Sequence, residues 1–230
     1  LRNNSAVGVI AIGSSALQKA TSPGGAVAVG YNAGAINVTG TDGTYIGYQA
    51  GKNADGDSNT FVGKDSGLGV SGSSSGPNNT AVGAEALTAF TTAEDNTALG
   101  MYAGRALTSG NSNTLLGNGA GDTMTATSNT VLIGVNAGTA INNTGASGTV
   151  AIGFKAGERH TSGAGCVYVG NAAGDHCTDG HRNVAIGEAS LSGNADDDNV
   201  AVGYGALGVC LSADNVAIGT NAGNTITTGA

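Results

Sequence analysis

Short apolar triplets, each closed by a glycine, recur from one end of the chain to the other. The closing glycines are Gly13, Gly30, Gly47, Gly63, Gly83, Gly100, Gly117, Gly134, Gly153, Gly170, Gly187, Gly203 and Gly219. The commonest interval is seventeen residues, as from Gly13 to Gly30; the extremes are sixteen, from Gly203 to Gly219, and twenty, from Gly63 to Gly83. A period this short and this persistent predicts a stacked solenoid with one coil per repeat. The residue before the glycine is always Ile, Val or Leu, and the residue three before it is Ile, Val or Thr. These two share one face of a strand, because strand side chains alternate. An all-aliphatic column of this kind is expected to line the inside of each coil.

The residue between them then faces outwards. It is Ala28, Tyr45, Phe61, Ala81, Ala98, Leu115, Leu132, Ala151, Tyr168, Ala185, Ala201 and Ala217 in successive coils. A strand position facing water alternates to polar. This column is apolar, so it is expected to form the seam of a homotrimer, with alanine letting neighbouring chains come close.

Three residues after the glycine stands Ala, or Ser at Ser66 and Ser190; four after it stands Gly, or Leu at Leu17, Leu87, Leu191 and Leu207. Glycine suits a tight corner because it accepts positive φ. Asn precedes the strand at Asn59, Asn79, Asn96, Asn113, Asn183, Asn199 and Asn215. Stacked in register, such residues can form amide ladders. A weaker second strand is expected at 35–38, 105–107, 123–125, 209–211 and 225–227. The rest of each coil is Gly, Ser, Asn, Thr and Asp, which reads as loop.

Composition narrows the function. The chain has 230 residues, 42 of them Gly, with 4% aromatic and 10% charged residues. The unbroken repeat is expected to form a single domain. Collagen is excluded, since its glycines fall at every third position. The net charge of −8 supplies no basic patch for nucleic acid. No apolar run approaches the ~20 residues of a membrane span. Absence of an initiator Met, of a signal-peptide pattern and of visible capping segments leads us to expect a piece of a longer chain.

Candidate chemistry is sparse. Cys166, Cys177 and Cys210 are an odd count. Cys177 and Cys210 each lie seven after a corner glycine with one coil between them. Two rungs of about 4.8 Å hold them too far apart for a disulfide. His160, His176 and His181 lie near Cys177, but no spacing matches a zinc motif. Asp55, Asp57 and Asp196 to Asp198 fit no calcium loop. No metal, cofactor or catalytic set is expected, and the chain does not read as an enzyme. Thr44, Thr60, Thr80, Thr97 and Thr114 share one column, which suggests an ice-binding ladder. The column turns to Val from Val131 onwards, which reads as interior and argues against that. Contact with a receptor, a cell-surface glycan or protein, is expected of the loops where length and charge vary. Their candidate residues are Ser71, Ser73, Ser75, Asn78, Asn142, Asn143, Ser147, Asn194, Asp196, Asp197 and Asp198.

The units Asn79 to Gly83, Asn96 to Gly100, Asn183 to Gly187 and Asn215 to Gly219 resemble the head repeats of trimeric autotransporter adhesins. Units such as Gly47 to Gly51 and Asn79 to Leu87 are similar to repeats of bacteriophage tail-fibre proteins. The adhesin repeat is nearer fourteen residues, and the longer period here favours the tail-fibre likeness. Both resemblances imply a left-handed parallel β-roll in a homotrimer, at a virion surface or on an extracellular appendage. They imply a structural fibre segment that takes part in host attachment, or alternatively an adhesin head that binds host surface or matrix.

Overall fold

A computed structural model describes residues 8–142 and 144–226. The chain divides into two compact units, Leu1–Asn113 and Thr114–Ala230. Both are built from the same coil. In the first, six three-residue strands stack: β1 (Ile10–Ile12), β2 (Val27–Val29), β3 (Thr44–Ile46), β4 (Thr60–Val62), β5 (Thr80–Val82) and β6 (Thr97–Leu99). The second stacks β7 (Thr114–Leu116), β8 (Val131–Ile133), β9 (Val150–Ile152), β10 (Val167–Val169), β11 (Val184–Ile186), β12 (Val200–Val202) and β14 (Val216–Ile218). A smaller parallel pair, β13 (Val209–Cys210) with β15 (Thr225–Ile226), completes it. No α-helix occurs among the described residues, only one 3₁₀ turn at Thr144–Ala146. The chain is an all-β parallel solenoid of about thirteen turns, as its repeat predicts.

Pairing follows the repeat residue for residue. Ala11 faces Ala28, Ala28 faces Tyr45, and Tyr45 faces Phe61. The twenty-residue interval keeps Thr60 opposite Thr80, and the sixteen-residue interval keeps Val184 opposite Val200. Differences in length are therefore absorbed in the loops.

The corner glycine holds φ near 125–141° in every described case, and within each unit it packs against the next coil's backbone, as Gly13 does against Gly30 and Gly117 against Gly134; Gly219 meets only Ala222. A Cβ on Gly187 would stand 2.7 Å from the carbonyl carbon and oxygen of Gly203, and one on Gly203 equally close to Gly219. Further left-handed residues follow two and four after the corner, as at Asn32 (φ 55°) and Gly34 (φ 56°). Another stands five before it, as at Asp95 (φ 58°) and Asp198 (φ 60°). These reversals fold the second side of most coils into turns. Of the five expected weaker strands, only the segments at Val209–Cys210 and Thr225–Ile226 adopt strand geometry; Thr227 lies outside the described residues. The other segments still bond from coil to coil, as Ile36 N does to Lys52 O at 2.7 Å.

The two faces of the strand are the reverse of the sequence expectation. The central residue of each triplet is the interior one: Ala28, Tyr45, Phe61, Ala81, Ala98, Leu115, Leu132, Ala151, Tyr168, Ala185 and Ala201 are all fully buried, and Ala217 nearly so. The flanking Ile, Val, Leu and Thr residues are half-buried or exposed. The coil is narrow, and its interior is already filled by Ala at the second corner. Two aliphatic side chains from each strand do not fit beside it.

Volume inside is shared between two positions. Where the strand centre is large, the residue four after a corner is Gly: Tyr45 lies over Gly34 and Gly51, and Tyr168 over Gly157 and Gly174. Where that position is Leu, at Leu17, Leu87, Leu191 and Leu207, the strand centre is Ala. These leucines take φ of 48–49°, a conformation costly for a side chain with a Cβ. Burial of the leucine offsets that strain.

We expect Gly187→Ala to destabilise its unit by about 3 kcal/mol or more, through the backbone clash and the φ it must hold. Gly72→Ala, with nothing within 4 Å of its new Cβ, should cost only about 1 kcal/mol. Thermal melts followed by circular dichroism should separate the two; equal melting would remove the close-approach account.

Candidate contact surface

The first and third strand positions point out of the coil; the third is Ile, Val or Leu in every repeat, and the first is Thr from Thr44 to Thr114 and Val or Ile elsewhere. Ile46 is 39% exposed and Leu99 48% in the first unit; Ile152 is 36% and Ile186 41% in the second. Neither column carries a charged residue in any repeat. Beside them, just past the corner, stand exposed Tyr31, Tyr48 and Met101 in one unit and Val135, Phe154 and Tyr204 in the other. Tyr31 and Tyr48 stack at 5.4 Å between centroids. The threonine column is also outward, with Thr80 and Thr97 exposed. The interior placement on which the ice-binding idea was set aside is thus overturned.

The residues expected at a trimer seam, Ala28 through Ala217, cannot reach a neighbouring chain, because each sits inside its own coil. Sequence reasoning took uniform aliphatic character as the mark of an interior. The available signal was the reciprocity of sizes, with Ala at the strand centre wherever Leu stands four after the glycine. Side chains that compensate each other in volume share one core.

No family model, curated protein or solved structure matches this chain. What its surfaces can do is therefore read from their geometry.

The candidate receptor loops are more committed to the stack than composition suggests. Asn194 Oδ1 accepts from Thr178 N at 2.9 Å and from Thr178 Oγ1 at 2.7 Å. Asp197 Oδ1 accepts from His181 N at 2.9 Å, and Asp198 takes Arg182 in two contacts of 2.6 and 2.7 Å. Asn78 Nδ2 donates to Asp95 Oδ1 at 3.1 Å. Each of these bonds joins one coil to the next. Asp196, Ser71, Ser73, Ser75 and Asn142 are exposed and Ser147 half-buried; Asn143 lies outside the described residues. The carboxylates of Asp55 and Asp57 likewise receive backbone N–H groups of the preceding coil, from Val38, Thr39 and Thr41 at 2.6–2.8 Å. No three His, Cys, Asp or Glu side chains converge as metal ligands among the described residues.

The buried Asn column is an amide ladder. In the first unit Asn79 N, Asn96 N and Asn113 N each donate to the Oδ1 of the preceding Asn, at 2.8, 3.1 and 3.0 Å. The same bond joins Asn199 to Asn183 and Asn215 to Asn199 in the second unit. Cys166 takes the Asn place in its own coil, and its thiol reaches Gly180 O at 3.0 Å.

The three histidines have separate roles. His176 sits at the surface, 3.5 Å from Asp175, and His181 Nδ1 accepts from Ala164 N at 3.1 Å. His160 is buried edge-on against Tyr168, with Nε2 2.6 Å from Gly163 O and Nδ1 3.0 Å from Cys177 O. Burial lowers its pKa in spite of these carbonyls. Its neighbour is the backbone of Cys177, not the thiol. All three cysteines are free and buried, including the Cys177 and Cys210 expected to stay unpaired. Burial pushes the Cys177 thiol up to about 11 and raises Cys166 too.

Because the folded pKa of His160 lies below its unfolded value of ~6.5, its contribution is complete above that value. It is lost as pH falls below it, since the unfolded chain then binds the proton more readily. His160→Met should flatten the fall in melting temperature between pH 7 and pH 5 relative to the parent. The same interior position is Met124 and Ile141 in other coils, so the variant should fold. An unchanged slope would free His160 of this role. Thiol titration at pH 8 should find all three cysteines unreactive until the protein is denatured.

Proposed function

We propose that this chain is a structural segment of a homotrimeric fibre, on a virion or comparable extracellular appendage, that takes part in host attachment. The observation that carries the reading is the outward strand face. Aliphatic side chains stand uncovered on successive rungs at the third strand position, beside a first-position column of Val, Ile and Thr, and both columns are free of charge. An apolar surface repeated over many rungs is characteristic of an interface. Association of identical chains would cover the same columns on each, which explains the uniform Ile, Val and Leu of the third strand position better than exposure to water does. The three-fold number and the fibre context come from the resemblance of the repeats to adhesin heads and tail-fibre proteins. The exposed residues of the loops are what the fibre would offer to a host.

The outward threonines of β3 to β6 favour one other reading. Hydroxyls and methyls repeated at rung spacing could order water as ice does. A monomeric parent that inhibits ice recrystallisation would replace the fibre reading by that one.

For the trimer, sedimentation should give three times the chain mass for the parent. Ile186→Glu places a charge in the seam and should yield folded protein of lower mass. Ala201→Glu buries the charge inside the coil, where it costs several kcal/mol, and should unfold the second unit itself. A folded parent monomer, or an Ile186→Glu trimer as stable as the parent, would end the proposal.

A further inference from the structure

The longest insertion, between Gly63 and Gly83, is pinned at its flanks. Ser74 is buried, its Oγ accepting from Val70 N at 2.6 Å and donating to Phe90 O at 2.7 Å. Its carbonyl accepts from Asp55 N at 2.7 Å, and Ser75 N donates to Thr91 O at 2.9 Å. The tip at Ser71 to Ser73 is left exposed. Between this loop and the segments six to eight residues past the corners of Gly30 and Gly47 lies a cavity of about 160 Å³.

Its walls are chemically two-sided. Ile36 and Val38, both half-buried, supply an apolar patch. Asp55 supplies an acceptor beside Asn53. Asn53 Nδ2 is used on Gly69 O at 2.9 Å, while its buried Oδ1 has no partner among the described residues. Asp55 Oδ1 receives the amides of Val38, Thr39 and Gly40, and its second oxygen bonds nothing among them. Ser73 and Ser75 add hydroxyls that can donate or accept.

A carboxylate oxygen without a donor and two serine hydroxyls beside an apolar patch call for a ligand that brings hydroxyl groups together with an apolar face. A single carboxylate beside an amide is too few ligands for a hard cation. The carboxylate, with a chain charge of −8, disfavours anions. The volume is below that of drug-sized pockets and suits one ring. We propose that this cavity binds a single neutral pyranose residue. Ring hydroxyls donate to the second oxygen of Asp55 and exchange hydrogen bonds with Ser73 and Ser75, and a C–H face rests on Ile36 and Val38. The site is built within one chain; it rests on the attachment reading for its biological role and names the class of ligand attached.

Saturation-transfer NMR on the full chain tests this with methyl glycosides of glucose, galactose and mannose, N-acetylglucosamine, and N-acetylneuraminic acid as the anionic control. At least one neutral sugar should bind with a millimolar Kd, and the anionic sugar should not. Ser73→Phe, which fills the cavity from an exposed position, should abolish transfer without lowering the melting temperature. Asp55→Asn retains one oxygen for the three backbone amides and should weaken binding about tenfold. Ser147→Phe, in a different loop, should bind as the parent does. No transfer from any neutral sugar, stronger transfer from the anionic one, or parent-like binding by Ser73→Phe would each overturn the site. Sedimentation of the same samples reads the trimer separately, so the two proposals fail independently.

Discussion

Close approach of one coil's backbone to the next at the corner glycine governs both units. The corner glycine sits so near its successor that the two backbones are in direct contact, and the strand that precedes it is thereby held in register. Parallel pairing, the amide ladder and the stacking of interior side chains all follow from that alignment. A side chain at the corner would force the coils apart and break every column together. Close approach within each unit, together with the positive φ that the corner holds even at Gly219, explains why the glycine is kept while the loop lengths vary.

Glycine alone does not shape the coil. Asp95, Asn32 and Asp198 hold left-handed conformations beside it, which short polar side chains tolerate better than most. Leu87 and Leu191 hold the same region at greater cost. Their exceptional backbone becomes intelligible from the inside, where each fills space left by an alanine. Backbone strain and core packing are here two halves of one exchange.

Much of this was legible in the sequence. The positions of the strands, their parallel register and the amide ladder at Asn79, Asn96 and Asn199 could all be read from the spacing. The inside and outside of the strand could not be read from hydrophobicity, because both faces are apolar. Ile186 and Ala185 differ in size rather than polarity, and only the correlation of Ala185 with Leu191 tells which one is enclosed. Loops were recognised as loops, but the ties of Asp55, Asp197 and Asp198 to neighbouring coils depend on which rung each loop overhangs. The cavity over Ile36 and Val38 was likewise hidden, since it joins residues from three successive repeats. Composition and loop length mark Ser73 and Ser75, but nothing in the spacing joins them to Asn53 and Asp55.

The tolerance of the stack to intervals of sixteen to twenty residues carries a genetic consequence. Strand register is re-established at every corner, whatever the preceding loop contained. A duplication or deletion that begins and ends at equivalent points of two repeats leaves its new junction with matching columns. Such a change lengthens or shortens the stack by whole rungs of about 4.8 Å and leaves the remaining coils unaltered. A gene of this kind can therefore be tuned in length by recombination between its own repeats, and new loops can be inserted one coil at a time.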